Sequence, residues 1–286
     1  MEYQKGKYLP DFLVIGPQKA GTTWIYRYLL SRGDVCLPDG VKETFFFDRS
    51  FYRTLKWYNK HFTPGKNHIF IAEVGPTYFQ SMEAAERIKK TLGTIPLVCT
   101  LRDPADRAFS HYLHMRRYGM TRLGLHEAVK KHSEILESSC YASHLKRWHD
   151  TFEKENVHIV FQETLAKSPE QYTIELCNKI GLSEKPVPEK LKTRVNVATL
   201  PPNPLLATIG QHAADFIRYM GFYGIIEWAK TKGLKNVFFG KPGEVPVEKL
   251  ESKDRHWLIE QLLPEIEELE HILDKDLSSW KIVEKS

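Results

Sequence analysis

The chain has 286 residues, of which 42% are hydrophobic and 27% charged, and a net charge of +5. This is an ordinary globular composition, sized for one large domain or two small ones. The mild positive charge favours an anionic ligand and falls short of what a nucleic-acid-binding protein needs.

Cys36, Cys99, Cys140 and Cys177 lack Cys-x-x-Cys spacing, which speaks against a zinc site or a disulfide framework and for reduced, structural thiols. The start, "MEYQKGKYLPD", has no apolar segment of signal-peptide type. No window approaches the ~18 apolar residues of a membrane span. A soluble, cytoplasmic protein is expected.

In chain order, "DFLVIG" (11–16) reads as a short buried strand and "TTWIYRYLLSRG" (22–33) as a helix closed by Gly33. "HIFIAEVGP" (68–76) is a second strand ending in a turn, and "EAAERIKKTLG" (83–93) is a helix with a glycine stop. "PLVCTLRDP" (96–104) is a third strand, followed by a helix from Pro104. The helical "YASHLKRWHDTFEK" (141–154) leads to a fourth strand, "VHIVFQET" (157–164). Alternating strands and helices predict an α/β fold with a P-loop-like central parallel sheet flanked by helices. Ligands of such sheets bind at the carboxyl ends of strands, and every candidate site here follows a strand.

From about 185 the pattern changes. "SEKPVPEKLKTRVNVATLPPNP" (183–204) is proline-rich and loop-like. "WLIEQLLPEIEELEHILDKDLSSW" (257–280) reads as amphipathic helix with Pro264 as a kink or restart. Residues 1–286 are expected to form a single domain, with a core over about 10–182 and a helical and loop-like C-terminal elaboration over about 185–286.

In "FLVIGPQKAGTTW" (12–24), Gly16 and Gly21 have the spacing of a P-loop, G-x-x-x-x-G-K-[ST]. Thr22 stands where the lysine belongs, and Lys19 sits three positions early. A glycine-rich turn between strand and helix presents backbone N–H groups at a helix N-terminus, an anion site by geometry and dipole. Thr22 and Thr23 add hydroxyl donors. The lysine after Gly21 is missing, and "FIAEVG" offers only Glu73 to hold magnesium, which argues against an ATPase or kinase. From the loop crest Lys19 would reach the bridging oxygen between a 5′-phosphate and a group being transferred. The plainer reading is a strand–helix turn with a solvated lysine.

A second anion site follows the third strand in "LRDPADRAFSHYLHMRR". Asp103 is a good N-cap and Pro104 a good first helical residue. Arg102 at the junction and Ser110 two turns into the helix can converge on one phosphate, Arg102 as a bidentate fork. Alternatively, Arg102 pairs with a structural carboxylate.

Taken together, these stretches resemble the sulfotransferases that use 3′-phosphoadenosine 5′-phosphosulfate (PAPS). "GPQKAGTTW" resembles that superfamily's 5′-phosphosulfate loop, and "LRDPADRAFSHY" its 3′-phosphate motif. "VKETFFFDRSFYRTLKWYNKHF" (41–62) is similar to the Lys-Glu-x-x-Phe-Phe stretch of heparan sulfate sulfotransferases. "AEVGPTYF" (72–79) resembles their Glu-Lys-x-Pro-x-Tyr-Phe segment, with Val74 where lysine is usual. "SSCYASHLKRW" (138–148) resembles their Tyr-x-x-x-Leu-x-x-Trp element. The resemblance spans roughly 10 to 182, and "DLSSW" (276–280) extends it more weakly to the ends of soluble bacterial sulfotransferases.

The resemblance implies in-line sulfuryl transfer from PAPS to an acceptor hydroxyl or amine, leaving 3′-phosphoadenosine 5′-phosphate (PAP), with no metal. It assigns Gln18, Lys19, Ala20, Gly21, Thr22, Thr23 and Trp24 to the cofactor loop, Arg102 and Ser110 to the 3′-phosphate, and Tyr141 to the cofactor's surroundings. Lys19 would stabilise charge on the leaving phosphate oxygen. The C-terminal Arg-Lys-Gly cofactor segment of cytosolic sulfotransferases is not found in this sequence; "TRVNVATLPPNP" (193–204) is a candidate replacement, with Arg194 a candidate for the 3′-phosphate or adenine, and "GKPGE" (240–244) is another candidate loop over the site.

The acceptor must lose a proton. Glu43 matches the base of the heparan sulfate enzymes and precedes the aromatic run Phe45–Phe47, where burial would raise its pKa toward neutrality. It could instead form a surface pair with Lys42. His114, four residues after Ser110 and on the same helix face, matches a histidine of the N-sulfating branch and is the second candidate base. His111 points elsewhere, to the surface or to packing. The aromatic residues Phe45 to Tyr58 would stack on sugar rings, enclose a lipid or aromatic alcohol, or form core. The acceptor is therefore expected to be a glycan or a small molecule. Basic "HMRRYGMTR" (114–122) would suit an acidic chain or an acyl-carrier partner. Two rivals stay open: an ATP-dependent kinase on an altered P-loop, and a non-catalytic nucleotide- or glycan-binding module.

Overall fold

All residues of the strands Phe12–Gly16 (β1) and Leu97–Leu101 (β4) are buried. That is why both read as unbroken apolar runs rather than as alternating ones. They are the middle of a five-stranded, all-parallel sheet in a computed structural model that describes residues 8–192 and 248–283, with positions 209, 210, 213, 217 and 229. The strand order is β2-β3-β1-β4-β5, with β2 Val35–Cys36, β3 Phe70–Val74 and β5 Val157–Phe161. The chain runs from β1 to β3 on one side and then crosses to β4 and β5 on the other. The loop leaving β1 therefore sits where the order reverses, which is where open α/β sheets bind ligands.

The helices are α1 Thr22–Arg32, α2 Leu55–Asn59, α3 Ala84–Leu92, α4 Pro104–Arg117, α5 Leu125–Lys131, α6 Glu134–Glu137, α7 Tyr141–Phe152, α8 Gln162–Lys167, α9 Pro169–Ile180 and α10 Glu189–Lys192. A C-terminal helix spans Ser252–Leu273. The expected parallel α/β sheet is present. Three details differ. β2, at two residues, is too short to leave a pattern in the sequence. The fourth expected strand stops at Phe161, and Gln162 opens α8. The C-terminal helix starts at Ser252 and runs past Pro264 without restarting, with Pro264 on its exposed side.

Of the described residues, 8–102, 140–192 and 271–273 form one compact unit, and 103–139, 248–270 and 274–283 form a second. In the first, Phe12, Val14 and Val98 of the sheet pack with Trp24, Ile25 and Tyr28 of α1 and with Tyr172 and Leu176 of α9. In the second, Ala108, Tyr112 and Leu113 of α4 pack with Leu125, Val129, Ile135, Leu258 and Ile259. None of the four cysteines forms a disulfide, and Cys36, Cys99 and Cys177 are buried. Among the described residues no helix is long and apolar enough to cross a membrane. Arg194, "TRVNVATLPPNP" and "GKPGE" lie outside the described residues.

Candidate active site

β1 ends at Gly16, whose φ is 116° and where a Cβ would stand 2.3 Å from the carbonyl oxygen of Pro76. No residue with a side chain fits there. Lys19 at the crest has φ 70° and Gly21 has φ 100°. A lysine held in the left-handed region costs about 1–3 kcal/mol, a strain that clusters at functional sites. Alternating backbone hands turn successive N–H groups toward a common anion.

The back of the loop is tied to β4 and to the residue after it. Thr100 Oγ1 donates to the Ala20 carbonyl at 2.8 Å and itself accepts from Tyr172 OH at 2.9 Å. Arg102 Nη1 donates to the Lys19 carbonyl at 3.2 Å. Gly21 is the N-cap of α1 and supplies no side-chain cap, so the first N–H groups of the helix remain at the loop. Thr22 and Ala20 are buried, and Gln18, Lys19, Gly21 and Thr23 are half-buried. Trp24 turns into the core: its indole N–H donates to the Leu191 carbonyl at 2.8 Å, and its ring stacks on Tyr28.

Tyr141 is buried and its hydroxyl donates to the Arg102 carbonyl at 2.9 Å. Lys19, Arg102 and Tyr141, distant in sequence, are thus linked through main-chain groups. Asp103 caps α4 as its sequence context suggests, accepting from the N–H groups of Ala105 at 3.0 Å and Asp106 at 3.1 Å. In the second unit, Ser110 and His114 are half-buried, one turn apart on α4. The His114 ring lies 4.6 Å from that of Tyr118. His111 is buried beside Arg107, so packing is its place.

Glu43 forms an ion pair with Lys42, Nζ to Oε1 at 2.7 Å, both side chains partly exposed. The next residue is anchored deeply. Thr44 donates its N–H and its hydroxyl to Glu73 Oε1, at 2.8 and 2.7 Å. Tyr78 OH donates to the same oxygen at 3.0 Å, and Tyr58 OH to Oε2 at 2.8 Å. Glu73 is fully buried in β3, and burial pushes its carboxyl above the usual carboxylate range against the hydrogen bonds that pull it down. Beyond Thr44, Phe45 has φ 54°, so a left-handed non-glycine residue stands two positions after Glu43, as Lys19 itself is left-handed in the β1 loop. Phe46, Phe47 and Tyr58 are core, whereas Tyr52 is 73% exposed. An open cleft of about 320 Å³ is lined by Phe46, Phe51, Arg53, Leu55, Lys90 and Thr91. Val74 is buried in the core cluster of the sheet, so that position offers no polar group.

From the sequence alone Glu73 reads only as a poor magnesium ligand, and Thr100 and Tyr172 carry no expectation. A charged or hydroxyl residue inside an apolar strand, "FIAEV" or "LVCTL", was the available signal, because burying such a group without partners is costly.

A family model described as a sulfotransferase domain matches residues 9–200. The chain belongs to the sulfotransferase family. Within this sulfotransferase domain, the matched span takes in the β1 loop, Glu43, Glu73, Arg102, Ser110 and Tyr141. The chain is similar to the bifunctional heparan sulfate N-deacetylase/N-sulfotransferase 3 of Homo sapiens, 34% identical over 161 residues, which is 49% of this chain and 18% of that protein. It is also similar to the bifunctional heparan sulfate N-deacetylase/N-sulfotransferase 4 of Mus musculus, 29% identical over 197 residues, 62% of this chain and 23% of that protein. The chain therefore spans about a fifth of the length of these relatives. A solved sulfotransferase from Alicyclobacillus acidocaldarius aligns with a TM-score of 0.68 over 96% of this chain and 100% of that one, at 21% identity, a likeness of fold.

Proposed function

We propose that this sulfotransferase moves a sulfuryl group from PAPS to an acceptor hydroxyl or amine by in-line displacement, and that its two units serve this one activity. The observation that carries the reading is the crest of the β1 loop. Lys19 is held there in the left-handed conformation, its carbonyl tied to Arg102, beside an uncapped helix start.

In this reading the N–H groups of Gly21 and Thr22 and the hydroxyls of Thr22 and Thr23 hold the 5′-phosphate. Gln18, Ala20, Trp24 and Tyr141 complete the cofactor's surroundings. Arg102 and Ser110 hold the 3′-phosphate, Arg102 with two donors. As the acceptor oxygen or nitrogen bonds to sulfur and the sulfur–oxygen bond to phosphate breaks, Lys19 meets the charge that grows on the leaving oxygen. Glu43, paired with Lys42 as a carboxylate, takes the acceptor's proton; His114 is the alternative base. Lys19 does what a metal does on a polyphosphate, so no step here calls for magnesium. In this reading the acceptor is a glycan or a small-molecule alcohol.

Calorimetric titration tests the reading. PAP should bind in the absence of metal, and ATP with magnesium should bind far more weakly. Tight binding of magnesium–ATP with none of PAP would replace this reading with the kinase one.

A further inference from the structure

The C-terminal helix lies outside the span that matches the family, 9–200. Yet one of its side chains holds the start of α4. Arg255 is 3% exposed. Its Nη2 donates to Asp103 Oδ2 at 2.7 Å, and its Nη1 to Asp106 Oδ1 at 3.0 Å and to Asp103 Oδ1 at 3.4 Å. Its Nε donates to the Ile282 carbonyl at 2.8 Å and its Nη2 to that of Trp280 at 3.4 Å, so the guanidinium is itself fixed from behind.

Asp103 is 1% exposed and is also the N-cap of α4. One buried carboxylate thus does two things. It ends the orphan N–H groups of the first turn, and it receives a planar fork that holds both its oxygens. A cap held at both oxygens cannot rotate, so the first turn of α4 is locked in azimuth. Ser110 is two turns further along that helix, and the direction its hydroxyl takes follows from that azimuth.

We propose that Arg255 is a positioning residue for recognition of the 3′-phosphate, acting through Asp103 on the helix that carries Ser110. This rests on the assignment of PAPS as donor. Arg255 touches no nucleotide group in this scheme. Its loss should therefore fall on ligands that carry a 3′-phosphate and spare those that lack one.

The test compares PAP with AMP, which lacks the 3′-phosphate, on the wild type and on Arg255→Lys and Arg255→Gln. Arg255→Lys keeps the charge and loses the fork; Arg255→Gln keeps two donors and loses the charge, and thermal melting confirms that each is folded. PAP affinity should fall about tenfold or more in Arg255→Gln and less in Arg255→Lys, with AMP affinity within about twofold of the wild type. The KM for PAPS should rise in parallel, with kcat changing less. If PAP and AMP weaken together, or PAP binding is unchanged, Arg255 is a purely structural residue and the inference is wrong. If the wild type itself shows no preference for PAP over AMP, the PAPS assignment fails and takes the inference with it.

Discussion

Thr44 donates both its backbone N–H and its hydroxyl to one oxygen of the buried Glu73, at 2.8 and 2.7 Å. The residue just before it is Glu43, the candidate base. A carboxylate near the end of β3 thus sets the path of the loop that carries Glu43, while Glu43 itself stays at the edge of solvent in its pair with Lys42.

Glu73→Gln keeps the volume but turns one acceptor into a donor facing hydroxyl donors. Leaving buried donors without partners should cost about 2 kcal/mol, and the melting temperature should drop by about 4–8 °C. Burial raises the folded carboxyl's pKa, so on a rise in pH the unfolded chain releases this proton first. The stability that Glu73 contributes is present below the ordinary carboxylate pKa and is lost as pH rises through the raised folded value. The melting-temperature gap between wild type and Glu73→Gln should therefore narrow as pH rises from about 4. A gap that widens with pH would mean that the four hydrogen bonds outweigh burial.

Lys19→Ala should lower turnover by about 10²–10³-fold, the usual effect of removing a group aimed at developing charge. PAP affinity should change much less, because the N–H groups of the helix start remain. Single-turnover rates beside PAP titration separate the two; a turnover equal to that of the wild type would remove Lys19 from its assigned role.

Glu43→Gln removes the proposed proton acceptor and leaves the shape. Sulfonation should fall by about 10²–10⁴-fold, with PAP binding intact. An unchanged rate across pH would move the base to His114, and the matching His114→Gln variant would then lose the activity.

Gly16→Ala and Gly33→Ala form a matched pair. Both glycines have positive φ, 116° and 72°, but a Cβ at Gly33 meets nothing within 4 Å, whereas one at Gly16 overlaps the Pro76 carbonyl. Gly33→Ala should cost about 1–2 kcal/mol, the backbone strain alone. Gly16→Ala should cost more and should also abolish PAP binding, because the loop must move off Pro76. Denaturant melts and PAP titration read both. Equal costs at the two sites would contradict the clash.

Much of the site was legible locally. Gly16, Gly21 and the pair Asp103–Pro104 announce a turn, a helix start and a cap because each depends on the backbone of a few contiguous residues. The strand ends were less legible, since "VHIVFQET" keeps an extended look while the helix already opens at Gln162. The short β2 gave no period to read. Trp24, which the resemblance assigns to the cofactor loop, also packs its ring against Tyr28 and Tyr172, the second a contact made across the fold that no local pattern announces.

By itself, then, the amino-acid sequence determined the parallel α/β sheet, the glycine-bounded turn after β1 with its lysine at the crest, and the cap that opens α4. These follow from hydrophobic runs and from φ preferences, which act over a few residues. Only the tertiary structure decided what holds those pieces in register. Thr100 and Tyr172 brace the loop, Glu73 anchors Thr44, and Arg255 reaches Asp103 across 152 positions of chain. Each of these is a buried polar group whose partner is chosen by packing, and a buried polar group must be satisfied by whatever the fold brings beside it.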